Sequence, residues 1–248
     1  AIATIQQAVA QASAGDTILV CPGTYQGTVE VKGSGKNGLR IIAYGRQGKV
    51  VLAGDHVQWR SGLYLEDVNG VLLRGFTIRD FGIPRIPGQS SFVDGESILL
   101  RRAHNNIIQY NALTSSNMMG ITMLDSANNI IEDNVGYSND PMMNGCGIHI
   151  EGRESKGNIV RHNTMYDNPL AGIMLSNAGT GNVIVENNCS SGRRFGVTNI
   201  NTNGTRIERN RANYNTGFDE AIDVLASRPR PGIGIDLRGS TGVTVIDN

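Results

Sequence analysis

A short motif recurs along this chain at intervals of about 23 residues, and that period confines the fold more tightly than any other feature of the sequence. Each copy opens on a small residue and an apolar strand, then closes on a second strand that ends in asparagine. The copies lie at 62–66 with 70–74, 97–101 with 106–111, 120–124 with 129–134, 147–151 with 158–163, 172–176 with 182–187, and 196–200 with 204–210. A unit this short cannot bury an apolar face alone. Copies must therefore stack, and the chain reads as a solenoid.

The strands are too short and too β-branched for helices, and clusters of Gly, Asn, Ser and Asp separate them. The expected fold is all-β: one single-stranded parallel β-helix of the right-handed kind, whose coils run from 17 to 248 at a spacing of about 4.8 Å. Equivalent residues of successive coils then form ladders, and Asn111, Asn134, Asn163, Asn187 and Asn210 fall on one of them. Asparagine suits the left-handed backbone of a tight corner, and its amide can bond the copies above and below. Alternation predicts that Ile121, Met123, Ile148, Ile150, Ile173 and Leu175 are buried, together with Ile107, Ile130, Ile159 and Val183. Ahead of the coils, Ile5, Ala8, Val9 and Ala12 recur at helical spacing, which predicts a capping helix near 2–12 within an N-terminal cap of residues 1–16. The chain stops on a repeat strand, so its C-terminal end is expected to be trimmed or covered by something outside this sequence.

Composition excludes several functions. Thirty-two glycines and only 5% aromatics suit a tightly turning stack, no composition break divides the 248 residues, and one domain over 1–248 is expected. Lys plus Arg and Asp plus Glu number 22 each, so no basic field argues for nucleic acid. No apolar run is long enough to span a bilayer. The odd, widely spaced cysteines Cys21, Cys146 and Cys189 form no disulfide framework and no CxxC metal site; three buried or turn cysteines are expected, with one disulfide plus a free thiol as the alternative. A monomer is the expected state.

The opening Thr4-Ile-Gln-Gln-Ala-Val-Ala10, followed by Ala14-Gly-Asp-Thr-Ile-Leu-Val20 and Pro22-Gly-Thr-Tyr25, resembles that of the pectate-lyase-like superfamily of right-handed parallel β-helix proteins. It is most similar to the group holding chondroitinase B-type and alginate lyases and the NosD-like repeat proteins. The Gly-Ile-x-Leu and Asn-Ile-Ile-x-x-Asn units extend the resemblance over nearly the whole chain. It implies a secreted or cell-envelope carbohydrate-active protein: a polysaccharide lyase, an epimerase or a hydrolase. The chain departs from the specific patterns, with no Asp-Pro-His, no Asn-Thr-Asp with Gly-His-Gly and no Asp-Asp pair; Asp140-Pro-Met142 lacks the histidine. No family catalytic residue carries over onto a numbered position.

The site must then come from geometry. Aligning the repeats places Tyr64, Leu99, Thr122, His149, Met174 and Thr198 in one outward row, and Glu66, Arg101, Leu124, Glu151, Ser176 and Ile200 in the next. Glu66 and Arg101, on adjacent coils, are expected to form a surface ion pair. Three insertions, at 81–96, 140–146 and 218–234, enter the repeat at equivalent points and should wall one groove over His149 and Glu151. The leading expectation is β-elimination on an acidic, uronate-containing polysaccharide. A cation must neutralise the uronate carboxylate and a base must remove the C5 proton. His149 is the candidate base, with Glu151 beside it; Arg153 and Lys156, or Arg101, are the candidate cations. Tyr64, Asp94, Glu96, Asp125, Arg193 and Arg194 are candidate substrate contacts, and Asp140, Glu151 and Glu96 a candidate Ca²⁺ set. A hydrolase would instead pair Glu151 with Asp125 or Asp140. A non-catalytic glycan-binding or structural β-helix is the competing class.

Overall fold

A computed structural model of the chain describes residues 3–82, 95–139, 145–191, 194–213, 215 and 232–248. Among these, every strand pairing is parallel, and the strands fall into three sheets of nine, six and eight strands that the chain visits in turn. In the first sheet Thr17–Val20 pairs with Arg40–Ala43, and the stack continues to Thr244–Ile246. The second runs from Gly23–Gln26 to Thr164–Tyr166. The third comprises Val29–Lys32, Leu63–Glu66, Glu96–Arg101, Met119–Leu124, Cys146–Glu151, Ala171–Ser176, Phe195–Ile200 and Ile233–Arg238. This is a parallel β-helix. Its aliphatic core lies inside the coils, with Ile98, Leu100, Ile121, Met123, Ile148, Ile150, Ile173 and Leu175 all fully buried.

The small residue that opens each repeat has a steric cause. A Cβ built on Gly147 would lie 2.7 Å from the carbonyl oxygen of Gly172 one coil on, and one on Gly120 would lie 2.5 Å from that of Gly147. The backbones approach too closely there for a side chain. The third-sheet ladder skips this position, passing from Met119 opposite Cys146 directly to Ile121 opposite Ile148.

The asparagine ladder forms as expected. Each Nδ2 donates to the next Oδ1: Asn111 to Asn134, Asn134 to Asn163 and Asn163 to Asn187, all at 3.0 Å, and Asn187 to Asn210 at 2.9 Å. Each Oδ1 also accepts the backbone N–H of the preceding asparagine in the ladder. The left-handed residue is not the asparagine, however, but the one before it: Tyr110, Asp133, His162, Glu186 and Arg209, with φ of 50–56°. A parallel ladder of Asn106, Asn129, Asn158 and Asn182 lies at the other end of the same strands. Both sets point inward. That sets the strand phase, so Ile108, Ile131, Val160 and Ile184 fill the core, whereas Ile107, Ile130, Ile159 and Val183, expected there, face outward and are half-buried.

The capping helix covers Ile5–Gln11, shorter than the expected 2–12. Thr4 caps it by accepting from the Gln7 N–H, and Lys36 Nζ bonds the carbonyls of Ala10 and Ala12 at its end. Ile5 and Val9 seal the first coil, while Gln6 uses its amide to bond both backbone groups of Glu30 on the first strand of the third sheet. That amide occupies an edge that would otherwise invite pairing with another chain. Cys146 and Cys189 are buried, whereas Cys21, expected in a buried or turn position, is exposed.

Candidate functional site

The outer face of the third sheet carries both expected rows in register: Tyr64, Leu99, Thr122, His149, Met174 and Thr198, and beside them Glu66, Arg101, Leu124, Glu151, Ser176 and Ile200. A cleft of about 290 Å³ opens on this face, lined by Glu96, Leu99, Arg101, Met118, Met119, Thr122, Leu124, His149 and Glu151. Four residues singled out in the sequence, Glu96, Arg101, His149 and Glu151, therefore line the same cleft. Arg101 stands two coils from Glu151, as the repeat spacing requires, and its guanidinium also reaches the Tyr64 hydroxyl.

His149 faces outward yet is only 7% exposed. Its Nε2 lies 2.8 Å from Ser176 Oγ on the next coil, and its Nδ1 is 3.9 Å from Glu151 Oε2. Burial pushes the imidazole pKa down to about 4, so the ring is neutral at neutral pH. In the tautomer whose Nε2–H donates to Ser176 Oγ, the Nδ1 lone pair lies on the side of Glu151 and can accept a proton. Ser176 was visible in the outward row, but its role depends on the rotamer of the neighbouring histidine. Thr122 is the other residue that sequence reasoning passed over. Its hydroxyl is buried in the cleft wall with no hydrogen-bond partner among the described residues.

Other candidates lie elsewhere. Arg153 and Lys156 are exposed in the turn beyond the strand, and Lys156 pairs with Glu154 at 3.0 Å. Asp125 sits at the corner that ends its strand, with φ of 47°. Arg194 packs on Phe195 at the far end of the same face. The expected Glu66 to Arg101 pair does not form; Glu66 pairs with Arg102 at 2.8 Å and with Lys32 at 3.8 Å. Arg102 turns outward at the left-handed corner, where its fork also reaches Asp67. Asp94, Asp140 and Arg193 lie outside the described residues, as does most of the three insertions. Gly82 and Gly95 flank the first insertion and nearly touch, and Glu96 and Cys146, at the ends of the first two insertions, lead into third-sheet strands. Of the candidate Ca²⁺ set, Glu96 and Glu151 both reach the cleft, but among the described residues no three acidic, histidine or cysteine side chains converge on one point.

The stacked parallel coils, with a cleft on one outer sheet, define the class to which this chain is assigned. Residues 61–248 match the family described as the right handed beta helix region, and the chain belongs to that family. No curated protein sequence matches it. Among solved structures, an alginate lyase from Paenibacillus sp. str. FPU-7 is 15% identical, with 96% of each chain covered and a TM-score of 0.56. Pectate lyase Pel9A is 16% identical, with 98% of this chain and 72% of that one covered and a TM-score of 0.59. A family 28 exopolygalacturonase from Yersinia enterocolitica is 12% identical, with 97% and 60% covered and a TM-score of 0.61. Such likeness establishes the fold; the reaction has to be argued from the site.

Proposed function

We propose that this protein is a polysaccharide lyase that cleaves an acidic, uronate-containing chain by β-elimination. The observation that carries the reading is the convergence of Arg101, His149 and Glu151 on one cleft of the third sheet. Arg101 would neutralise the uronate carboxylate and so acidify the C5–H bond. Neutral His149, oriented by Ser176, takes the C5 proton at Nδ1. The electron pair left at C5 forms the C4–C5 double bond and expels the glycosidic oxygen at C4, which takes a proton from solvent and leaves as a hydroxyl. Glu151, 3.9 Å from Nδ1, then stabilises the imidazolium. A low histidine pKa makes a weak base but leaves it unprotonated and available. A secreted or envelope location suits such a substrate.

One observation favours a second reading. Glu96 and Glu151 both line the cleft, and two carboxylates across a bound sugar are what a glycoside hydrolase needs. Incubation with alginate, pectate and sulfated glycosaminoglycans separates the readings. A lyase product absorbs in the unsaturated-uronate band, and His149→Ala should lower that rate by about 10²-fold or more with the fold intact. Glu151→Gln should slow it less. New reducing ends without the absorbance would establish the hydrolase, and retention on a glycan column without any product would replace both with a binding protein.

A further inference from the structure

Thr122 stands at the centre of the cleft. It occupies the coil between those of Arg101 and His149, directly opposite His149 in the parallel register. Only 6% of the residue is exposed, and its Oγ1 is a buried hydroxyl with no hydrogen-bond partner among the described residues. The other such side-chain atoms among the described residues, on His56, Asn139 and Asn188, do not line this cleft. Its neighbour in the row on the preceding coil, Leu99, is apolar, so burial against it would be better served by the isosteric valine. A β-branched side chain in a strand has a stiff χ1, which limits the positions the hydroxyl can take.

We infer that the Thr122 hydroxyl is a specificity contact, donating a hydrogen bond to the carboxylate of the uronate bound between Arg101 and His149. The inference rests on the reading of this cleft as a uronate site. The carboxylate is bonded to C5, whose proton goes to His149, so it lies within reach of the coils that flank His149. Thr122 occupies one of those coils, and Arg101, on the coil beyond, lines the same cleft. One cation and one fixed neutral donor then share the carboxylate, and the bond is charge-assisted. A neutral hexose offers no such acceptor.

The test compares wild type with Thr122→Val and Thr122→Ser by calorimetric titration with trisaccharides of mannuronate, guluronate and galacturonate, and with the carboxyl-reduced galacturonate trisaccharide. Thr122→Val should weaken binding of the preferred uronate trisaccharide about tenfold or more, as loss of a hydrogen bond to a charged group does. Binding of the carboxyl-reduced sugar should not change between the two proteins. Thr122→Ser should restore most of the loss. The melting temperature of Thr122→Val should stay equal to that of wild type or rise, because no partner in the protein is lost. Equal uronate affinity in wild type and Thr122→Val overturns this inference alone and leaves the lyase reading standing. A lower melting temperature with unchanged affinity also overturns it, by assigning the hydroxyl a structural role. No binding of any uronate trisaccharide by wild type overturns the inference and the uronate reading together.

Discussion

His149 is held in two ways that oppose each other, because the burial that fixes its ring beside Ser176 also withdraws it from the water that would stabilise its charged form. Its pKa falls from 6.5 to about 4 for that reason. The unfolded chain takes up a proton between those two values that the folded chain does not. Stability is therefore full above pH ~6.5 and falls as the pH drops towards ~4, by about 3 kcal/mol for this one group. Urea denaturation across that window should show the slope, and His149→Gln should flatten it; an unchanged slope would mean that the ring is hydrated in solution. His104 is placed differently. Its Nδ1 accepts the Ala127 N–H at 3.0 Å, a structural bond away from the cleft. Alternation along the strand was enough to read the outward phase of His149, Glu151 and Arg101 from the sequence. The positions of Arg153 and Lys156 were not legible, since they depend on how the turn after Gly152 leaves the sheet, and the unpaired hydroxyl of Thr122 depends on which side chains stack around it.

Asparagine ladders settle the phase of the first sheet, where the apolar pattern carries no information. In Asn106-Ile-Ile-Gln-Tyr-Asn111 both central residues are isoleucine, so the inward one is identified only by knowing that both asparagines point inward. Reading asparagine as the left-handed corner shifted the expected core by one position. The residue that adopts the corner is variable, Tyr, Asp, His, Glu or Arg, and so gives no sequence signal. Asn163 shows what the ladder contributes. Its Oδ1 accepts from the Asn134 backbone and side chain, and its Nδ2 donates to the Ile131 carbonyl and to Asn187. Asn163→Ala strands those buried groups and should cost about 2–4 kcal/mol in denaturant unfolding. A loss under ~1 kcal/mol would show that water or backbone shifts replace the ladder.

The first sheet runs without a break in strand order to Thr244–Ile246, the third to Ile233–Arg238 and the second to Thr164–Tyr166, and each coil contacts chiefly its neighbours. We expect residues 1–248 to unfold as one cooperative domain even so, because the core and both ladders are shared between adjacent coils. Trp59, packed on Gly27 and the core near the capped end, reports on the first coils, whereas circular dichroism reports on all strands. Thermal transitions from the two signals should coincide; a separate tryptophan transition would divide the chain into independent units. Repetition makes the architecture readable from the sequence, because every coil states the same strand and turn pattern again. The reaction is less readable, since the cleft is assembled from residues of three successive coils that no contiguous motif records.

The head-to-tail direction of the asparagine ladder has a consequence for how such a chain can change in length. Every coil in the run from Asn111 to Asn210 presents an acceptor to the coil before it and a donor to the coil after it. Cutting out or duplicating one whole turn, for instance the 23 residues from one ladder asparagine to the next, rejoins a donor to an acceptor and leaves no orphan at the seam. An insertion of any other size at the same point breaks the chain of amides. The protein is thus built in interchangeable increments, and segments of irregular length fit only outside the ladders, which is where 83–94 and 140–144 occur.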